Sequence, residues 1–522
     1  MDQGLGIFRD RVFWFSLVSG GFFLTLTLWF GFSGDQALSA YAAWVWKNFH
    51  LPPYLGAFDH NFPGIFIINR LALELCGGSI LGFRIFDVLF QLLTLAAVYY
   101  VALKFSGRKS AGFLACVFYG IHYYSLGVLD VFRPDVYVFC LLIFGAAIVM
   151  AMRDRPRLRA ALAGAIAGFI FLIKPTYGLS WAVFALWFGL EGIKTPPRRI
   201  WSEEIIFVAF CLLSPLAVIL YYQGQGALRE LYLATIYWNS RVYTQFEPLS
   251  LASAARIIRG LITDHPLILF LAGFGMIAAA KESGPERKQL FWVLTAFMAI
   301  GLFSAVIQNK NYYYHRDPVW GFAAIFAGAG LALVGDRARF ESKIWSRAGR
   351  ALLYSLAVIL AFAGIEAFWV DFAFRHAFRD LRSSQLASAE IYPSNSLTDQ
   401  YRAAEYLKPL LRESDQVAYF GMWASIVHWQ LKKKSPSRFI YAQHLLMRNW
   451  RGELLPLQAR HIEEYIDAIT SARPRFILVY ELLLKSDHRD FINQRFGGLR
   501  TFIERDYQLR QKIGNVDIYE LK

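Results

Sequence analysis

The 522-residue chain has little charge: Asp, Glu, Lys and Arg make up 18% of it, against about 25% in soluble domains. With 56% apolar residues and a mean hydropathy of +0.36, this scarcity argues against an ordinary water-soluble enzyme. Cysteine is also scarce. Cys76, Cys116, Cys140 and Cys211 lie in or beside apolar runs without CxxC spacing, which argues against a disulfide framework or a zinc ribbon. Low-complexity tracts and internal repeats are missing, and so is the inverted repeat common in transporters. Disorder is excluded by the aromatic content of 17% and by the low charge itself.

What the chain does have is long apolar runs. A bilayer core of about 30 Å needs about 20 such residues per helix. About eleven runs qualify: 13–32, 83–103, 111–128, 135–152, 159–173, 176–192, 204–222, 265–280, 289–307, 318–335 and 351–370. The first is too long and too aromatic for a cleaved signal peptide.

Every second connection is basic. Arg9 and Arg11 precede the first run. Lys104, Arg108 and Lys109 come next, then Arg153, Arg155, Arg157 and Arg159. Lys194, Arg198 and Arg199 follow, then Lys281, Arg287 and Lys288, and finally a cluster from Arg337 to Arg350. The positive-inside rule places these connections, and the N-terminus, in the cytoplasm. Much of the net charge of +15 is therefore topology, and nucleic acid is not expected as a partner.

The fold class expected is mostly α: a polytopic helical bundle over residues 1–370, followed by an external α/β domain over 371–522. In the latter, 416–420, 475–480 and 515–520 read as strands, while 399–413 and 456–472 carry helical spacing. The connections 33–82 and 223–264 fall on the external side.

Polar groups at the external ends of the runs are where chemistry is expected. Ser33-Gly34-Asp35-Gln36 follows the first run. Asp35 could take a proton from a hydroxyl, or could simply cap a helix. Asp59-His60-Asn61-Phe62-Pro63 precedes an apolar helix; the acid and imidazole could hold a metal or phosphate, although zinc wants three or four ligands. Arg133-Pro134-Asp135 opens a run with Pro134 suited to a first turn, and Arg133 either pairs an anion or snorkels. Lys174-Pro175 separates two short runs, and Asn309 to Pro318 holds Lys310, three tyrosines, His315 and Arg316. Positive charge on this face runs against the topology rule and suggests a bound anion.

These segments, in this order, resemble the GT-C superfamily of membrane glycosyltransferases, in particular the bacterial branch related to protein O-mannosyltransferases and the aminoarabinose lipid A transferase. The resemblance covers residues 1 to about 335. The chain departs from the pattern at Gln36, where an acid is usual, and at Asn61-Phe62, which displace the usual proline. The resemblance implies a GT-C fold and a polyprenyl-phosphate-linked sugar as donor. It implies transfer, usually with inversion, to a lipid, glycan or protein acceptor at the outer face of the cytoplasmic membrane. It further implies that Asp35 is the general base and that Asp59 orients the acceptor or chelates a divalent metal ion. Lys174, Lys310, His315, Arg133 and His60 would then neutralise the lipid phosphate.

The rival is a transporter or flippase for a lipid-linked saccharide, which needs polar groups near the bilayer midplane. Here the run interiors are nearly free of charge, with Asp87 and Glu366 near external ends as partial exceptions.

Overall fold

The computed structural model describes residues 6–192, 197–244, 249–282, 284–341, 347–363, 367–375, 380–390, 397–421, 424–448, 451–480 and 489–522. Glu366, Lys194 and Lys343 lie outside them.

Each of the expected apolar runs carries a helix. Among the described residues, seven helices are long and apolar enough to cross a membrane: Arg11–Trp29, Ile80–Ser106, Pro134–Ala151, Pro156–Ile173, Trp201–Gly224, Pro285–Gln308 and Tyr313–Asp336. The run at 265–280 is one arm of a bent pair, Leu251–Asp264 and Pro266–Lys281, which meet at 93°. Pro266 explains the break: it cannot donate the hydrogen bond that a continuous helix would need there. The runs at 111–128, 176–192 and 351–370 form shorter helices, Lys109–Ser125, Leu179–Gly192 and Arg347–Ala363. On the Trp201–Gly224 helix, Leu212, Leu213, Leu216 and Leu220 are all exposed, as expected for a helix facing lipid rather than water. The chain is a multi-pass membrane protein.

The residues form two compact units. The first comprises Met1–Leu28, Arg84–Tyr221 and Leu249–Arg375. Its centre is the Asp317–Glu341 helix, which packs on Lys109–Ser125 and Pro266–Glu282. Glycine permits these close crossings. A Cβ on Gly328 would stand 2.6 Å from the Ala111 carbonyl oxygen, and one on Gly275 would stand 2.1 Å from that of Phe326. Small residues at such crossings replace the hydrophobic drive that lipid does not supply.

The second unit comprises Trp29–Phe83, Tyr222–Pro248 and His376–Lys522. It contains a four-stranded sheet in the order β1-β2-β4-β3, where β1 is Val417–Phe420, β2 Phe476–Tyr480, β3 Tyr507–Ile513 and β4 Val516–Leu521. β1 and β2 are parallel and the other pairs antiparallel. Three of the strands and the helices Leu397–Leu407 and Pro456–Ala472 match the expected segments. β3 has no counterpart among them: after a buried Tyr507 it is exposed from Gln508 to Lys512, and an edge strand of this kind carries polar residues instead of an apolar alternation.

Residues of the C-terminal stretch hold the backbone just before Asp35 and next to Asp59. Gly31 N donates to Ser388 Oγ (2.9 Å), Phe32 N to the Tyr401 hydroxyl (2.7 Å), and Ser425 Oγ to the Gly34 carbonyl (2.7 Å). Phe58 N donates to the Arg438 carbonyl at 2.8 Å.

Candidate active site

In the second unit, Asp35 stands in the first turn of the Gly34–Phe49 helix. The cap is Ser33, and Gln36 Oε1 accepts from Ser33 N at 3.3 Å, as in a capping box. Capping is thus the work of Ser33 and Gln36, which also accounts for a Gln at the position where an acid is usual. Asp35 is half-buried.

Asp59 is buried, 1% exposed. Its Oδ1 accepts from the His60 backbone N (2.7 Å), and its Oδ2 accepts from Asn61 Nδ2 (2.8 Å). The His60 ring Nδ1 lies 3.3 Å from Oδ1. Burial works against the ionised carboxylate, but the His60 hydrogen bond and charge, followed by His444 and Asn61, hold Asp59 well below the usual carboxylate range.

His444 arrives from 384 residues downstream, its Nε2 3.1 Å from His60 Nδ1. Burial first, and then the His60 charge, push its imidazole down to about 3 against the opposing pull of Asp59. The stretches Leu233–Tyr237 and Asn239–Tyr243 are π-helical; such turns often mark functional positions. From it, Asn239 Nδ2 donates to the His60 carbonyl at 2.8 Å, and the Tyr243 ring stands 4.6 Å from that of His60.

In the first unit, Arg133 is the N-cap residue of the Pro134–Ala151 helix, with Pro134 in its first turn. The preceding Phe132 has φ of 62°, a costly conformation for a bulky residue that sets the direction in which Arg133 leaves the chain. Asp135 is fully buried and ion-paired with Lys174 Nζ, at 2.7 Å through Oδ1 and 2.5 Å through Oδ2. Lys174 ends the Pro156–Ile173 helix.

Tyr314 gathers these cations. The Arg133 guanidinium carbon lies 4.1 Å and Lys174 Nζ 6.0 Å from its ring centre, and the His315 ring meets it edge-on at 4.4 Å. Lys310 is buried, 3% exposed, and its carbonyl lies 3.2 Å from His315 Nδ1. Asn309, at φ 54°, ends the preceding helix in the left-handed conformation that Asn tolerates and turns the chain toward Lys310. The structure therefore brings Arg133, Lys174 and His315 together around one ring, with the Lys310 backbone tied to His315.

Sequence reasoning placed Arg316 on this face but missed its partner Asp264, and with it His122 and His265. Arg316 makes a two-pronged pair with Asp264, Nε to Oδ2 at 2.7 Å and Nη2 to Oδ1 at 3.2 Å. His122 Nε2 lies 2.9 Å from Asp317 Oδ1. His265 Nε2 lies 2.7 Å from the Tyr313 hydroxyl, 3.1 Å from Ser125 Oγ and 3.2 Å from His122 Nδ1. A signal was there: Asp264-His265-Pro266 opens a helix with a charged residue, a ring and a proline, much as Arg133-Pro134-Asp135 does. His122, inside an apolar run, was a second. Asp87 is also buried. It accepts from the Tyr123 hydroxyl, from the Tyr137 hydroxyl at 3.1 Å and from Gln91 at 3.4 Å, so it is satisfied within its own bundle.

Residues 59–224 match the family model described as dolichyl-phosphate-mannose-protein mannosyltransferase. No curated protein sequence matches the chain. Among solved structures, the chain is similar to ArnT from Cupriavidus metallidurans in the apo state, at 11% identity and a TM-score of 0.56, over 95% of this chain and 96% of that one. The same protein bound to undecaprenyl phosphate gives 13%, 0.55, 97% and 96%. An oligosaccharyltransferase of Archaeoglobus fulgidus tethered with an acceptor peptide gives 11% and 0.52, over 99% of this chain and 74% of that one. The chain thus has the fold of GT-C glycosyltransferases over nearly its whole length, and between residues 59 and 224 it also matches the sequence pattern of their protein mannosyltransferase branch.

Proposed function

We propose that the chain is an integral membrane glycosyltransferase of the cytoplasmic membrane that uses a polyprenyl-phosphate-linked sugar as donor. Its N-terminus is cytoplasmic, and residues 371–522 form a domain on the external side, where the acceptor is a lipid, a glycan or a protein. The observation that carries this reading is the gathering of Arg133, Lys174 and His315 about Tyr314 at the ends of apolar helices. Cationic and imidazole groups at a membrane boundary suit a lipid phosphate, the anionic part of such a donor.

Asp35 acts as the general base. It takes the proton of the acceptor hydroxyl as the oxygen attacks the anomeric carbon, and the bond from that carbon to the phosphate oxygen breaks, with inversion. The leaving polyprenyl phosphate gains negative charge, which Lys174, Lys310, His315, Arg133 and His60 stabilise; fixed groups of this kind supply a large share of such rate enhancements. Asp135 holds Lys174 in place through their ion pair. Asp59 orients the acceptor and is the carboxylate that would carry a divalent ion, which, when bound, supplies counter-charge to a phosphate.

The test is transfer by the purified full chain from a panel of polyprenyl-phosphate sugars. Release of polyprenyl phosphate coupled to a glycosylated acceptor is expected for one of them. Donor movement across proteoliposome membranes without any sugar transfer would instead make the chain a flippase.

A further inference from the structure

We propose that Asp87, Tyr123 and Tyr137 are positioning residues: they form a buried cradle that holds Phe132 in its left-handed conformation and thereby aims Arg133 at the donor phosphate. The last step rests on the phosphate-binding role proposed for Arg133. All three residues are fully buried, so they act through the backbone that carries Arg133 and not by contact with a ligand.

The cradle is built from three helices of the first unit. Asp87 stands on Ile80–Ser106, Tyr123 on Lys109–Ser125 and Tyr137 on Pro134–Ala151. A carboxylate only accepts hydrogen bonds, which fixes the direction of the whole chain of contacts. The Tyr123 hydroxyl donates to Asp87 Oδ2, and the Tyr137 hydroxyl donates to Oδ1 at 3.1 Å. With its proton directed at Asp87, the Tyr123 oxygen is left as an acceptor, and it accepts from Phe132 N at 3.3 Å. Tyr137 adds its ring, which meets the Phe132 ring edge-on at 5.5 Å. An acid buried among apolar helices is costly and marks function more often than packing; here it orients the two hydroxyls.

Phe132 needs such support. Its φ of 62° is rare for a bulky residue, and conformations of this kind persist only where the surroundings over-determine them, often at functional sites. The next residue is Arg133, whose guanidinium carbon stands 4.1 Å from the Tyr314 ring centre. Relaxation of Phe132 to negative φ would redirect the chain at Arg133 and carry the guanidinium away from Lys174 and His315. If the network merely filled the bundle, loss of a hydroxyl would lower stability and leave Arg133 where it is.

Tyr123→Phe keeps the ring and removes the hydroxyl, and two measurements on the purified full chain follow it. In hydrogen exchange without any ligand, the Phe132 amide should lose about tenfold of its protection. Tyr119→Phe, one turn earlier, removes a hydroxyl that donates to Gln91 at 2.7 Å and should leave the Phe132 amide unchanged. In titration with undecaprenyl phosphate, Tyr123→Phe should weaken binding by about tenfold, the scale of one hydrogen bond. It should add nothing to the loss caused by Arg133→Ala, because both changes act through one side chain. Should Tyr123→Phe fail to fold by thermal melting, Tyr137→Phe is followed by the same two measurements. Unchanged exchange at Phe132, binding of wild-type strength in a variant whose Phe132 amide has opened, or a loss that adds in full to that of Arg133→Ala overturns the proposal. A wild type that binds no undecaprenyl phosphate would overturn the donor reading and with it the aim of Arg133, while exchange at Phe132 would still decide the cradle.

Discussion

Around Tyr313 and Tyr314 the first unit gathers cations and holds them against its own acids, Lys174 against Asp135 and Arg316 against Asp264, whereas the second unit holds a buried acid, Asp59, with a backbone N–H, an amide and imidazoles. The difference follows from the solvent each must accommodate. A lysine or arginine at the end of an apolar helix is costly to bury unless paired, so the acids Asp135 and Asp264 arrive on neighbouring helices. A carboxylate in a connection need only find donors, and dipoles suffice. The first arrangement presents charge that is already oriented; the second presents oxygen and nitrogen ligands.

The comparison can be broken most severely at Asp35, the proposed base in the second unit, beside which Ser33 and Gln36 form the capping box. Asp35→Asn should keep its melting temperature while transfer falls by about 10²–10⁴-fold, the range of a lost general base. Near-normal turnover in a well-folded Asp35→Asn variant would remove the base assignment.

Next in size is the pairing in the first unit. Lys174→Ala strands a buried carboxylate and should cost about 3–5 kcal/mol of stability, measured as loss of folded protein on heating in detergent. A double replacement by apolar residues, Lys174→Met with Asp135→Leu, should regain most of that stability without regaining donor binding. A double variant that binds donor normally would show the pair to be purely structural.

Lys310 sharpens the same point at smaller scale. Lys310→Ala should weaken donor binding by about 1.5–3 kcal/mol, the worth of a hydrogen bond to a charged group, and acceptor binding by less. Lys310→Arg should restore only part, because a planar fork does not replace a compact ammonium. Equal losses for donor and acceptor in titrations would detach Lys310 from the phosphate.

The smallest effect is expected at the cap. Gln36→Ala removes the acceptor for Ser33 N and should cost about 1 kcal/mol of stability, with transfer changed far less than by Asp35→Asn. A loss of transfer as large as that of Asp35→Asn at unchanged stability would mean that Gln36 takes part in the chemistry.

Hydropathy alone located the helices, because a bilayer imposes length and apolarity on each span independently of its neighbours. It could not show that 265–280 is one arm of a bent pair, since the break depends on Pro266 and on what packs beside it. Asp35, Asp59, Arg133, Lys174, Lys310 and His315 were legible as polar residues at the ends of apolar runs. Asp135, quoted beside Arg133, was not legible as the partner of Lys174, because no local pattern links two residues 39 positions apart.

The sequence by itself therefore determined the membrane class, the positions of the apolar helices, three of the four strands and the stations where polar groups meet apolar runs; each of these is a one-dimensional property of composition and spacing. Only the tertiary structure decided which of those groups meet. It placed His444 beside Asp59 and His60 across 384 residues, set Tyr314 under Arg133 and Lys174, and returned the C-terminal stretch to the backbone just before Asp35. Those pairings come from packing, in which distant segments share one burial environment, and a linear pattern carries no record of it.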